Sequence, residues 1–300
     1  MTDEPYFSRA SMLRRVQSDR LVGLTYGLRA VYIGALHPVA FTGTYLHTRE
    51  MRTPVSRLAD TAKLFEAVSL GSRAQADRAL AITAAKHRKV HGTLGRDVGP
   101  FPAATAYTAY DPDLMLWTWA VLADSSIVLY ETFAGRLPGA EREALYQDWV
   151  RWAELFRMPP GAAPATHAAF VEWFDAELRS PQRHLTPLAK RTAETVCFTT
   201  PLPVHLRSIR HLNRLIVLGT TPEPVRRHFG HSWSRLDAAE FRAFAAAVRA
   251  GRIVVPRGPV SGIFDGLAAH EQRRVARGHD TIRGIATEER NRSRMRGART

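Results

Sequence analysis

Asp111-Pro112-Asp113 and the run after it, LMLWTWAVLADSSIVLYETFAG, leave this chain the fewest choices. An aspartate that can cap, a proline at the first helical position and a second acid near the positive end of the dipole together start a helix. The helix is apolar around its whole circumference apart from Asp124, Ser125 and Ser126. A helix of that kind has to be surrounded by other elements, so it forms the centre of the fold. Asp124 within it then needs a cationic partner, because an isolated buried carboxylate is costly. Arg57 is the candidate.

The remaining segments read as helices placed around that centre. Residues 6–20 form a short amphipathic helix. Residues 21–36 are apolar, with Gly23, Gly27 and Gly34 spaced to admit a close neighbour. His37-Pro38 breaks the run, since proline lacks a donor and restricts the residue before it. Pro54 precedes a helix for which Ser56 is a fair N-cap, and Gly71-Ser72 ends it and starts the next, which Gly92 and Gly95 stop. Residues 93–110 have no clear period and read as a loop. Amphipathic helices follow at 139–157, 165–179, 186–195 and 204–218, then a short one after Pro222 and Pro224, and a last one up to Gly251. Strand alternation is nearly absent, so the expectation is an all-α domain of about ten helices around one core and a cofactor pocket. The division expected is an N-terminal helix within 1–20, a catalytic domain over 21–255 and a basic, flexible tail over 256–300.

The net charge of +14 raises the question of nucleic acid. Only Lys63, Lys86, Lys89 and Lys190 are lysines, so the excess is an arginine bias that reads as compositional. Part of it is local: residues 271–300 hold nine arginines against Glu271, Asp280, Glu288 and Glu289. No nucleic-acid partner is expected, and contact with an anionic membrane surface suits the charge better. The N-terminal MTDEPYFSRASMLRR places acids before bases and has no apolar core, unlike a signal peptide. No stretch approaches about 18 uninterrupted apolar residues, so no membrane-spanning segment is expected. A cytoplasmic or membrane-peripheral location follows. A single cysteine, Cys197, excludes an intrachain disulfide and a cysteine-based zinc site.

Chemistry concentrates between Arg57 and His91, in two helices joined by a turn. Arg57 and Thr61 stand four residues apart on the first, and His87 and His91 four apart on the second. That spacing stacks side chains on one helix face, so a guanidinium and a hydroxyl can face imidazoles across the pair. Such a setting suits a metal or a haem under a polar roof. The zinc-hydrolase reading fails because Arg88 stands where the base of an HExxH motif belongs. Both histidines also suit a helix end, where an imidazole meets the negative pole of the dipole. No G-x-S-x-G elbow, G-x-G-x-x-G loop or P-loop occurs. Trp117 and Trp119 read as core or as walls of an apolar pocket.

These landmarks, taken in order, resemble the catalytic domain of the MpaB and rubber-oxygenase (latex-clearing protein) family. The matching pieces are His37-Pro38, His47, Pro54, Arg57, Thr61, His87, Asp111-Pro112, LWTWAVLADS at 116–125, Tyr130-Glu131 and TPEPVRRHFGHSW at 221–233. The resemblance spans roughly residues 15–240. It implies an all-α, haem b-dependent oxygenase, an oxidoreductase that uses dioxygen on an apolar, isoprenoid or lipid-like substrate. It also implies that His87 ligates the iron, and that Arg57 and Thr61 line the opposite, catalytic side of the cofactor. The alternative is a non-catalytic protein of the same fold that binds haem or lipid. Asp60 stands where some rubber-cleaving members carry a lysine just before the threonine, and Trp119 where many relatives carry histidine.

Overall fold

The computed structural model describes residues 4–48, 53–199, 206, 208–251 and 257–279. Among them the chain forms thirteen α-helices and one small hairpin, so the all-α expectation holds. In chain order the helices are α1 (Met12–Gln17), α2 (Arg20–Gly34), α3 (Pro38–His47), α4 (Pro54–Leu70) and α5 (Arg73–His87). The hairpin β1 (His91–Thr93) and β2 (Ala106–Thr108) follows. Then come α6 (Pro112–Ala134), α7 (Gly139–Leu155), α8 (His167–Arg179), α9 (Pro187–Glu194), α10 (Ile209–Thr220), α11 (Glu223–Phe229), α12 (Arg235–Ala250) and α13 (Ser261–Ala276). A π-helical turn, Thr195–Thr199, follows α9 directly.

The central helix is α6, capped by Asp111 through the amides of Asp113 and Leu114, with Pro112 in its first turn. It buries Trp117, Trp119, Leu129 and Phe133, among others. Both indole donors of α6 find an oxygen: Trp117 Nε1 donates to Gly34 O and Trp119 Nε1 to Trp149 O, at 3.3 and 2.8 Å. Both tryptophans are therefore core, their ring nitrogens satisfied as burial requires.

Helix α2 lies along α6. A Cβ on Gly34 would touch Val121 at 3.7 Å, so a bare backbone brings the two helices close. This contact also supplies the partner of Asp124, and it is Arg29 rather than Arg57. Arg29 Nη1 is 2.6 Å from Asp124 Oδ2 and donates to Ser125 Oγ at 2.8 Å, while its Nε donates to Thr220 O at 3.0 Å. Arg29 stands in the middle of a mostly apolar helix. It is the buried counter-ion to the carboxylate on the facing helix.

Three further expectations change. Thr53, not Ser56, stands at the N-cap of α4, and its side chain makes no capping bond. The helix carrying His87 ends there, and His91 begins β1 instead of stacking one turn beyond His87. The cause is the hairpin, where Gly92 pairs with the buried Tyr107 and Ala109 N donates to Val90 O at 2.9 Å. Burying Tyr107 draws 91–93 into a strand and gives the expected loop at 93–110 a short ordered edge.

The third concerns 256–300. Inside this stretch, expected as a flexible basic tail, α13 is an ordered helix packed on α4, with Phe264, Ala268 and Ala59 in a shared apolar cluster. Arginine density had masked the buried spacing of Val260, Phe264 and Ala268. Residues 280–300, and residues 204, 205 and 207 at the start of the helix expected over 204–218, lie outside the described residues. No described helix is long and apolar enough to cross a membrane.

Candidate functional site

Helices α4 and α5 form an antiparallel hairpin with its turn at Gly71-Ser72. Ser72 accepts from Gln75 N and Gln75 bonds back to Ser72 N, a capping box that fixes where α5 begins. Arg57 precedes that turn by about as many residues as His87 follows it. At about 1.5 Å per residue both stand roughly 20 Å from the turn, at the same end of the hairpin. Arg57 and His87 thus stand at about the same level of the hairpin.

The stripe on α4 grades from charged to apolar away from that end. It begins at the exposed Arg57, passes Thr61 and Leu64 and ends at the buried Val68. The α5 stripe does the same, from the half-buried His87 to the buried Thr83 and Ala76. A polar end thus leads into an apolar interior along both helices.

Arg57 Nη1 donates to Thr48 Oγ1 at 2.6 Å, and Thr48 Oγ1 donates to Thr44 O at 2.6 Å. The C-terminal turn of α3 therefore holds the guanidinium. Burial lowers the Arg57 pKa from its ordinary value although the side chain remains accessible to solvent. Thr61 Oγ1 donates to Arg57 O at 3.0 Å, which ties the two expected residues together and leaves the hydroxyl oxygen free to accept.

His87 is braced from the other side. The Tyr110 ring meets its imidazole edge-on at 5.9 Å between centroids, and Tyr110 Oη donates to Ala84 O at 3.2 Å. Burial, with Lys86 beside it, holds the His87 imidazole below its ordinary pKa, so at neutral pH the ring is uncharged and keeps a lone pair. One residue from Thr48, His47 Nε2 lies 3.1 Å from Tyr107 Oη. Thr48, Tyr107 and Tyr110 thus complete a setting of which the sequence offered only Arg57, Thr61 and His87. The signal for the tyrosines was the alternation in Ala106-Tyr107-Thr108.

His37, another landmark, is not part of this end. It caps α3 by accepting from Ala40 N and stacks on Phe101 at 5.7 Å. Burial, and then the Arg183 charge, push its pKa down to about 3, so its role is structural. His91 is exposed on β1. Among the described residues, no group of three or more His, Cys, Asp or Glu converges as a bare metal ion would need.

Comparison with known proteins supports the family resemblance. Residues 14–250 match the family described as ER-bound oxygenase mpaB/B'/Rubber oxygenase, catalytic domain. Two curated relatives are the uncharacterized protein Mb2261 of Mycobacterium bovis and the uncharacterized protein Rv2237 of Mycobacterium tuberculosis. Each is 26% identical over 223 residues, covering 73% of this chain and 80% of the relative. No solved structure matches. The chain belongs to the mpaB/rubber oxygenase catalytic-domain family.

Proposed function

We propose that the protein is a haem b-dependent oxygenase that uses dioxygen on an apolar, isoprenoid or lipid-like small molecule. The observation that carries this reading is the shared level of Arg57 and a neutral, half-buried His87 at the open end of the α4–α5 hairpin. The donor set fits the group. A porphyrin brings four nitrogen ligands of its own and asks the protein for one neutral imidazole, which His87 offers with its ring braced by Tyr110.

Bound haem would supply the iron at which dioxygen is activated. The protein's own share of the work follows from its side chains. His87 would be the residue that holds the iron. The Arg57 guanidinium, fixed by Thr48, offers its remaining N–H groups to an oxygen atom that gathers negative charge as the reaction proceeds. Thr61 Oγ1 already donates to the helix, so it is placed to accept a hydrogen bond and to fix the orientation of a polar group beside Arg57. In this reading a substrate recess opens beside Arg57, and the apolar stretches of both stripes, Leu64 and Val68 on α4 and Ala76 on α5, would exclude water from it and receive a substrate without charge.

The test is the absorption spectrum of protein expressed with haem precursor, wild type beside His87→Ala. A Soret band present in the wild type and lost in the variant supports the reading, and oxygen uptake with a panel of isoprenoids and lipids then defines the substrate. A band that survives the substitution removes His87 as the ligand. Folded protein without any band removes the haem oxygenase, and the recess becomes a lipid-binding question.

A further inference from the structure

The family match ends at residue 250, yet the chain returns to the candidate site beyond it. Gly258 N donates to Ser18 O at 2.7 Å, Val260 sits against Gly23 of α2, and α13 then runs antiparallel along α4. The two helices cap each other. Glu66, near the end of α4, accepts from the amides of Val260 and Ser261 at 2.5 and 3.1 Å, where α13 starts. Glu271, near the end of α13, accepts from Val55 N at 3.2 Å, Ser56 N at 2.8 Å and Ser56 Oγ at 3.1 Å, where α4 starts.

The second cap bears on the site. The first amides of a helix have no partner within it, and buried ones need an acceptor. Thr53, at the N-cap, supplies none from its side chain. Glu271, 0% exposed, does so from another helix. The next residue after Ser56 is Arg57. Further along, α4 is held by its contact with α5, so the turn that depends on Glu271 is the one that carries the guanidinium.

We infer that Glu271 is a positioning residue. Through the amides of Val55 and Ser56 it sets the first turn of α4, and so fixes where Arg57 stands against Thr48. Helix α13, beyond the matched residues 14–250, is then a clamp on the first turn of α4. The inference rests on the proposed role of Arg57 for its functional consequence, and on geometry alone for the positioning.

The experiment uses the full chain, labelled with nitrogen-15, as Glu271→Ala, Glu66→Ala, Arg57→Ala and the Glu271→Ala/Arg57→Ala pair. Without cofactor, amide exchange at Val55 and Ser56 is expected to quicken about tenfold in Glu271→Ala, the scale of a lost cap. The Arg57 Nε–H resonance is expected to move in the same variant. In Glu66→Ala, exchange quickens at Val260 and Ser261 instead, and the Arg57 resonance stays. With ferric haem bound, cyanide serves as the anionic probe. Glu271→Ala should weaken it by about the factor that Arg57→Ala does, and the pair no further than Arg57→Ala alone, as for two residues on one path.

An Arg57 resonance unmoved by Glu271→Ala overturns the inference, and so do additive losses in the pair. Failure of the wild type to bind haem sinks the oxygenase reading instead, and the resonance still decides the positioning. Should Glu271→Ala not fold, Glu271→Gln keeps the side-chain size and one acceptor oxygen, and is expected to move the resonance in the same direction by less.

Discussion

The Arg29 guanidinium lies 2.6 Å from Asp124 Oδ2, and the arginine is the more deeply buried of the two, 1% exposed against 18%. Two further oxygens, Ser125 Oγ and Thr220 O, accept from its Nη1 and Nε. The pair therefore joins α2, α6 and the end of α10 at one point. Its value lies in leaving neither charge unpaired, since burying both is itself expensive.

Removing one partner is the informative change. Arg29→Met leaves Asp124 facing an apolar helix, and the expected loss is about 3 kcal/mol in urea unfolding, the scale of a broken buried pair. Asp124→Asn keeps an acceptor but leaves the 1% exposed Arg29 cation without a counter-charge, whereas the 18% exposed carboxylate left by Arg29→Met reaches solvent, so the loss in Asp124→Asn should be at least as large. A clearly smaller loss in Asp124→Asn would contradict the burial asymmetry.

The asymmetry also explains what could be read in the sequence. Signals confined to a few residues were legible: the Asp111-Pro112 start of α6, the Ser72 cap with Gln75 and the stacking of Thr61 on Arg57. Choices between distant partners were not. Asp124 asked for a cation, but the sequence holds 42 basic residues, and nothing local separates Arg29 from Arg57. Likewise Glu271 sits in an arginine-rich stretch that reads as solvated, and only the burial of Val260, Phe264 and Ala268 turns it into a helix with a task. At the candidate site, Tyr107 reaches His47 across 60 residues of chain, which no spacing rule encodes.

Acid should destabilise the fold through His37. Its pKa lies at about 3 in the folded protein, against an ordinary 6.5. Between those values the unfolded chain binds a proton that the native one refuses, so stability is full above about pH 6.5 and falls as pH drops toward 3. One such group contributes a slope of at most about 1.4 kcal/mol per pH unit. The urea midpoint of the wild type should fall steadily from pH 7 to pH 4. His37→Asn keeps a capping acceptor without a titrating ring, and its midpoint should fall less steeply. Parallel curves would show that other groups carry the acid response.

Where α10 meets α12, the backbone of Gly219 faces the Phe241 ring. A Cβ there would stand 2.6 Å from the ring, too close for any real contact. The ring has little room to withdraw, because Trp233 and Phe133 meet it at centroid distances of 6.2 and 6.5 Å. Gly219→Ala should therefore cost about 1–3 kcal/mol, as overpacking does. Phe241→Leu in the same chain should recover part of it, a coupling readable from the double-mutant cycle.

Arg57 separates a role in chemistry from a role in holding the substrate. The proposed substrate is apolar, so its binding draws on the walls of the recess and owes little to a guanidinium at the polar end. The charge that gathers on oxygen during reaction is another matter, since it appears only as the barrier is climbed. Arg57→Lys keeps the positive charge but loses the planar fork that lets one nitrogen engage Thr48 while the others face the recess. The expected result is a fall in kcat of about a hundredfold with KM nearly unchanged, the size of effect seen when one stabilising donor is lost. Thr61→Val removes an acceptor beside it and should give a smaller fall in the same direction. Oxygen-uptake kinetics on haem-loaded protein, with the Soret band as the control for loading, measure both. A rise in KM with kcat unchanged would move Arg57 from the reacting atoms to the mouth of the recess, where it would select substrates by their polar end.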